Sequence, residues 1–321
     1  MHSSYLPSAS VETLRQRARM LACIREYFAG EGVLEVETPL LCSSTAMDPH
    51  LQSFSVEAMG APQFLQTSPE FPMKRLLAAG SGSIYQVCKA FRADECGGRH
   101  NPEFSLLEWY RVGWSAERLQ QEVLSLVQRV AGLFGVEWPV HATLSYRELF
   151  RRRLGLDPMT ASEDELAAVA VRHLGSDLPV LDRPGWLDLL MSQVIEPRLP
   201  VGLQMVVGFP AEQAALARRV RDADGFEVCE RFELYVNGME LANGYGELTD
   251  ADEQRLRFEA DNRVRAASGL PVLPVPEPLL QALESGLPDC AGVALGLDRL
   301  LMAALGKTSI SEVLSFDFTR A

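Results

Sequence analysis

The sequence holds 321 residues with a formal net charge of −13 and a 47% hydrophobic fraction. That apolar content supports a globular core and excludes a disordered chain, and no run reaches the ~18 apolar residues that a membrane span needs. Six cysteines without a CxxC pair and five scattered histidines suit reduced cytosolic thiols and argue against a disulfide framework or a structural zinc site.

Residues 1–10 read as a polar tail without the apolar stretch of a secretion signal. From Val11 the pattern turns helical, with Leu14, Ala18, Leu21, Ile24 and Phe28 along one core-facing stripe and Gly30 to Gly32 ending it. GVLEVETP, Gly32 to Pro39, follows as a short strand that must stop at Pro39 or lie at a sheet edge. Phe64 to Glu70, FLQTSPE, reads as a strand entering a helix over 70–79. Ser68 suits the N-cap and Pro69 the first turn, and Glu70 could complement the helix dipole.

Gln86 to Arg111, QVCKAFRADECGGRHNPEFSLLEWYR, reads as two strands joined by a charged loop. Arg92 ends the first strand, where its guanidinium fork could grip a phosphate. Asp94 or Glu95 can accept from an exocyclic amine, and Phe104 offers a flat face to an aromatic ring. These are the parts of an adenine-nucleotide site, although a charged hairpin tip would carry similar residues.

Ser115 to Phe134 predicts an amphipathic helix, and residues 145–200 read as a helical insertion with a polar helix near Ser162–His173. Further on, FEVCERFELYVNGMELANGY contains Asn237-Gly238, the strongest short hairpin signal. That turn sets Tyr235 opposite Glu240 and makes Glu233 and Glu240 diagonal neighbours on one face. Two carboxylates so placed are costly unless exposed, protonated or holding a cation, and hard oxygens suit Mg²⁺. GVALGLDR, Gly292 to Arg299, is a small-residue strand followed by a helix starting at Gly296. Asp298 there is expected to orient Arg299 or to cap that helix.

Three of these stretches carry a resemblance. FRADECGGRHNPEFSLLEWY resembles motif 2 of class II aminoacyl-tRNA synthetases, in the lysyl-tRNA synthetase branch; GVLEVETP resembles motif 1 and GVALGLDR motif 3. The likeness spans roughly Val11 to Phe318. It implies an α+β fold, a mostly antiparallel sheet flanked by helices, over residues 11–321. It also implies a homodimer through the motif 1 region and adenylate-forming chemistry with ATP and Mg²⁺. By the same resemblance Arg92 and Arg299 would be catalytic. Asp94, Glu95, Asn101, Phe104, Glu240, Leu241 and Gly296 would join them in binding ATP, with Glu233 and Glu240 on the metal. Ser68, Pro69, Glu70, Glu108, Tyr110, Asn243, Glu247 and Ala294 would line the amino-acid pocket, Glu247 meeting the ε-ammonium of a lysine-like substrate. Arg92, Arg299, Glu233 and Glu240 are thus expected around one triphosphate.

Three features depart from the branch. The start of the chain leaves no room for the anticodon-binding barrel that bacterial lysyl-tRNA synthetases carry before motif 1, so none is expected. Asp94 stands where glutamate is usual. Ala294 replaces a glycine beside the amino-acid backbone, and a methyl there can shift discrimination by ~1–3 kcal/mol. These departures resemble a paralogous branch that activates (R)-β-lysine and passes it to a lysine side chain of elongation factor P. The resemblance implies a cytoplasmic ligase with that protein as partner and no tRNA. Charging of tRNA is the alternative; it would need a basic face, and Arg151-Arg152-Arg153 and Arg218-Arg219 are the dense basic runs. A non-catalytic regulatory subunit is the second, and it should have lost the arginines and carboxylates that this chain keeps.

Overall fold

The computed structural model describes residues 5–58 and 60–321. In chain order, α1 (Val11–Gly30) leads to β1 (Leu34–Glu35), β2 (Leu41–Cys42), β3 (Ser55–Ala58), β4 (Ala61–Leu65) and α2 (Glu70–Ala78). Then come β5 (Ile84–Phe91), β6 (Glu103–Val112), α3 (Ala116–Gly132), β7 (Leu144–Ser145), α4 (Tyr146–Leu154), α5 (Glu163–Leu174) and α6 (Arg183–Leu190). The last part holds β8 (Leu203–Pro210), β9 (Arg219–Arg221), β10 (Glu227–Val236), β11 (Met239–Gly246), α7 (Ala251–Ala267), α8 (Glu277–Glu284), β12 (Cys290–Gly296) and α9 (Leu297–Ala304). These elements group into two compact units, Met1–Glu137 with Leu248–Ala321, and Trp138–Glu247.

In the first unit β1 pairs parallel with β5, while β5–β6 and β6–β12 pair antiparallel. The short β1 obeys the proline that follows it. A small antiparallel sheet, β2–β4–β3, stands apart. Helix α1 seats Phe28 against Tyr85, stacked at 4.3 Å, and against Trp109 at 5.5 Å. The inner face of α1 differs from the expected stripe: Ala18 is exposed, Leu14 and Leu21 are half-buried, and Thr13, Met20, Cys23, Ile24 and Phe28 are buried. Counting apolar residues alone misplaced the stripe, because Arg17 turns inward. It donates to Asp298 at 2.6 Å and to Ser105 Oγ at 2.6 Å. Ser10 caps α1 and Ser115 caps α3, and the buried row Leu119, Val123, Leu126, Val127 and Val130 gives α3 its amphipathic face.

The second unit has β8, β10 and β11 antiparallel, with β7 parallel to β8 and β9 beside β10. Helices α4, α5 and α6, which fill most of residues 145–200, bury Tyr146, Phe150, Leu166, Trp186 and Leu190 together with Val206, Phe209, Cys229 and Tyr235 of the strands. Ser162 closes the start of α5 with a reciprocal capping box to Glu165. The Asn237-Gly238 turn is as tight as the sequence requires, with φ of 51° and 71° and Val236 opposite Met239. Gly238 also lies so close to the Glu196 carbonyl that a Cβ would stand 2.4 Å from it.

Candidate active site

Within the first unit the expected phosphate ligands meet through the β5–β6 hairpin. The ladder runs to Phe91 opposite Glu103, and the Arg92 N–H continues it to Pro102 O at 2.9 Å. Arg92 leaves the sheet there with its guanidinium 5.1 Å over the half-buried Phe104 ring. Its Nη1 donates to Glu95 Oε1 at 3.0 Å, while its buried Nε has no hydrogen-bond partner. Glu95 Oε2 stands 4.0 Å from His100 Nε2, which accepts from Arg299 Nη2 at 2.5 Å. Arg92, Glu95, His100 and Arg299 thus form one chain of polar contacts, although they come from opposite ends of the sequence. Asp94 is exposed. Asn101 is buried, donating to Glu103 O at 2.6 Å and accepting from Phe318 N–H at 2.9 Å.

Farther along β6, Glu108 shares a face with Phe104 because four residues separate them on a strand of period two. Its carboxylate is held from both sides, by Ser68 Oγ at 2.8 Å and by Tyr110 Oη at 2.7 Å. The Ser68 hydroxyl also accepts from Glu70 N–H at 3.1 Å. Pro69, not Ser68, occupies the N-cap of α2, so the expected cap is displaced by one residue and the serine hydroxyl serves the carboxylate. Glu70 pairs with the buried Lys74 at 2.7 Å, one helical turn on. On β12, Ala294 lies directly opposite Glu108 and Gly292 opposite Tyr110, so the Ala294 methyl and the Glu108 carboxylate occupy the same side of the sheet. Gly296 is the N-cap of α9. Asp298 is also unlike its expectation: it is buried and bonded to Arg17 and to Ser105 N–H at 2.7 Å.

Three side chains of this face escaped the sequence reading. Gln86 lies opposite Glu108 on β5, buried, with an Oε1 that no hydrogen bond satisfies. Cys88 follows two residues later and accepts from Gln66 Nε2 at 3.5 Å. Burial first and the Glu108 charge second push its thiol up to about 12, so it is no nucleophile. The third is His100, named only as part of a motif. The alternation of Gln86, Cys88 and Ala90 was a usable signal once paired in register with Glu108 and Phe104.

The second unit brings Glu233 and Glu240 together. Tyr235 pairs with Glu240 and Glu233 with Asn243, with a bulge at Leu241 because Leu234 pairs with Ala242. Glu233 is buried and accepts from Tyr235 Oη, from Arg231 Nη2 and, at 3.3 Å, from Asn243 Nδ2. Burial pushes the Glu233 carboxyl up; Arg231 draws it back and the charge of Glu240 adds to the rise. A divalent cation would relieve that repulsion, and two hard carboxylates suit Mg²⁺. Among the described residues no group of three or more His, Cys, Asp or Glu is arranged to hold a metal. Asn243 Oδ1 is buried without a hydrogen-bond partner.

Glu247 follows β11 and is 1% exposed. A bridge to Ala217, the Arg218 N–H on Gly246 O at 2.8 Å and the 3.0 Å Arg218–Glu230 ion pair fix its backbone. A Cβ at Gly246 would stand 2.3 Å from the Glu230 carboxylate, so a larger residue there would make that side chain shift. Tyr245 is half-buried opposite Arg231.

Comparison with known proteins gives the family. Residues 5–320 match the family model of class II tRNA synthetases (D, K and N). The chain is 47% identical to an elongation factor P–(R)-β-lysine ligase of Edwardsiella ictaluri, with 99% of each chain covered. It is 46% identical to the protein of that name from Klebsiella pneumoniae and 45% to that of Salmonella dublin, again over 99% of both.

Proposed function

Because the chain belongs to the class II tRNA synthetases of the D, K and N type, we propose that it is an ATP-dependent ligase that activates (R)-β-lysine and transfers it to elongation factor P. Relatives of that name match it along nearly their whole length. The structural observation that carries the reading is the single face of β6. Phe104, beside Arg92, and Glu108, between Ser68 and Tyr110, lie four residues apart, ~13 Å along a strand. That spacing suits an aminoacyl adenylate lying lengthwise, its base on the ring and its ammonium toward the carboxylate.

In the first step a substrate carboxylate oxygen attacks the α-phosphorus of ATP. A new O–P bond forms and the bond to pyrophosphate breaks. Arg92 would steady the charge on the α-phosphate and Arg299 that on the departing phosphates. Glu233 and Glu240 would hold Mg²⁺, which when bound neutralises phosphate charge. In the second step the neutral amine of an acceptor lysine attacks the acyl carbon. The carbon–oxygen bond to AMP breaks and the amine loses a proton. Alignment and charge neutralisation do the work, and no covalent enzyme intermediate is required.

Within the first unit Ser68, Glu70, Glu108 and Tyr110 would surround the amino acid. The Ala294 methyl beside Glu108 would disfavour an amino group on the α-carbon and admit one on the β-carbon. Leu34 of β1 is 55% exposed at the sheet edge, and this motif 1 region would form a homodimer. Among the described residues no helix is long and apolar enough to cross a membrane.

The test is pyrophosphate exchange with (R)-β-lysine against α-lysine, followed by labelling of elongation factor P against tRNA. Faster exchange with (R)-β-lysine and label on the protein are the expected results. Label on tRNA alone would overturn the reading in favour of a tRNA-charging enzyme.

A further inference from the structure

The segment from Ile310 to Ala321 is fastened on one side to the beginning of the described chain. Ser8 N–H donates to Ser315 O at 2.8 Å, Ala9 N–H to Leu314 O at 3.0 Å and Asp317 N–H to Ser8 Oγ at 3.0 Å. Arg320 Nη1 reaches the carbonyls of Leu6 at 3.1 Å and Pro7 at 3.2 Å. Arg17 Nη1, already on Asp298, also reaches Val313 O at 3.3 Å.

On its other side the same segment grips the loop between β5 and β6. Ile310 N–H donates to Gly98 O at 2.8 Å, and Phe318 N–H donates to Asn101 Oδ1 at 2.9 Å. Asn101 passes the connection on through Nδ2 to the carbonyl of Glu103, the first residue of β6. Elsewhere the loop is held by the Ala93 N–H on Gln52 O at 2.9 Å, by the Gly97–His100 bridge and by Arg299 Nε on the Arg99 carbonyl at 3.4 Å. Residues 96–100 are exposed, and Gly97 and Gly98 meet nothing within 4 Å where a Cβ would be. An exposed, glycine-containing loop pays a large entropy to hold one shape. Yet this loop carries Glu95 and His100, the two links between Arg92 and Arg299.

We propose that Ile310–Ala321 is a strap that holds the motif 2 loop in the shape that receives a nucleoside triphosphate, with Asn101 as the joint. Phe318 and Arg320 are positioning residues: they act on the nucleotide through Asn101 and the loop. The proposal deepens the reading of Arg92 as a phosphate ligand and rests on it.

Phe318→Pro removes the N–H that Asn101 accepts, and Phe318→Ala keeps it. The Phe318 side chain is 60% exposed, so the alanine variant loses little burial. ATP affinity, measured by titration calorimetry on the full chain, is expected to weaken about five- to tenfold in Phe318→Pro, the worth of one hydrogen bond. Phe318→Ala should stay within about twofold. The KM for the lysine-type substrate should be unchanged in both, with melting temperatures near that of the wild type. A chain ending at Asp317 should weaken ATP in the same way, and decides the matter should Phe318→Pro fail to fold. ATP binding at wild-type strength in the proline or shortened chain overturns the strap. Equal weakening by alanine and proline does so too, as does a rise in the amino-acid KM in step with that for ATP. Should the wild type activate no lysine-type amino acid, the functional reading falls, while the ATP affinities of the variants still decide the strap.

Discussion

In the first unit the two arginines assigned to phosphate are linked through part-exposed side chains: Arg92 and Glu95 each keep 29% of their side-chain surface, and His100 keeps 43%. In the second, Glu233, one of the two carboxylates assigned to metal, keeps 7% of its side-chain surface and is held by Arg231 and Tyr235. Exposed pairs contribute little to stability and exchange partners at small cost. A buried carboxylate held by several donors is set in one place, and removing the cation among them leaves an uncompensated charge. The first unit therefore keeps its charges ready to rearrange, whereas the second has fixed them in advance.

Substitutions can break that contrast, beginning with the largest effect. Arg92→Ala should lower kcat/KM for pyrophosphate exchange by ~10²–10³-fold, the loss expected for a group aimed at developing charge. Its unfolding free energy should stay within about 0.5 kcal/mol of the wild type. A large fall in denaturant midpoint would show that the arginine is structural. Next, Arg231→Ala should destabilise the protein by about 3 kcal/mol, because Glu233 keeps its burial and loses its cation. Denaturant unfolding reads this directly, and a wild-type midpoint would remove the claim of pre-set carboxylates.

Ser68→Ala tests the other end of the β6 face. It deletes one of the two hydroxyls on Glu108 and should raise the amino-acid KM roughly five- to tenfold with the ATP KM unchanged, as a single hydrogen bond warrants. An effect on ATP alone would place Ser68 elsewhere in the chemistry.

The smallest effect comes from a half-buried carboxylate less well provided for than Glu233. Burial, then the charge of Asp48, raises Asp261 to about 6, with Arg257, Arg265 and His50 opposing. An acid whose folded pKa lies above its unfolded value keeps its stability contribution at low pH and loses it as pH rises through the folded value. Asp261→Asn should therefore raise stability at pH 8 and change it little at pH 4. The gain should be ~1 kcal/mol once solvent screening of this half-buried group is allowed for. Melting curves at the two pH values check it, and a larger gain at pH 4 would reverse the sign.

Much of this was legible in the sequence because local rules and the final fold agreed. The Asn237-Gly238 turn needed positive φ at both residues, and with it the pairing of Tyr235 with Glu240 followed. Arg92 and Phe104 ended up neighbours because a strand, a polar loop and a returning strand leave few alternatives. What was illegible depended on contacts across long sequence distances. Arg17 reads as a polar interruption of α1 until Asp298, 281 residues away, supplies its partner. Ser68 looks like a cap because caps are common; only the approach of Glu108 reveals the competing bond. Arg231 and Glu233 could as well have been two solvated residues on an exposed face. Burial of that face, which no local pattern announces, made them a pair.

The bond from Arg17 to Asp298 also bears on how such an enzyme could be altered. Asp298 immediately precedes Arg299 and is tied at once to an outer helix and to the strand that bears Phe104 and Glu108. A library that recodes the charged surface of that helix to improve expression would count Arg17 among its dispensable positions. It would thereby loosen the seat of motif 3, and variants selected for yield would drift toward catalysts that fold well and turn over slowly.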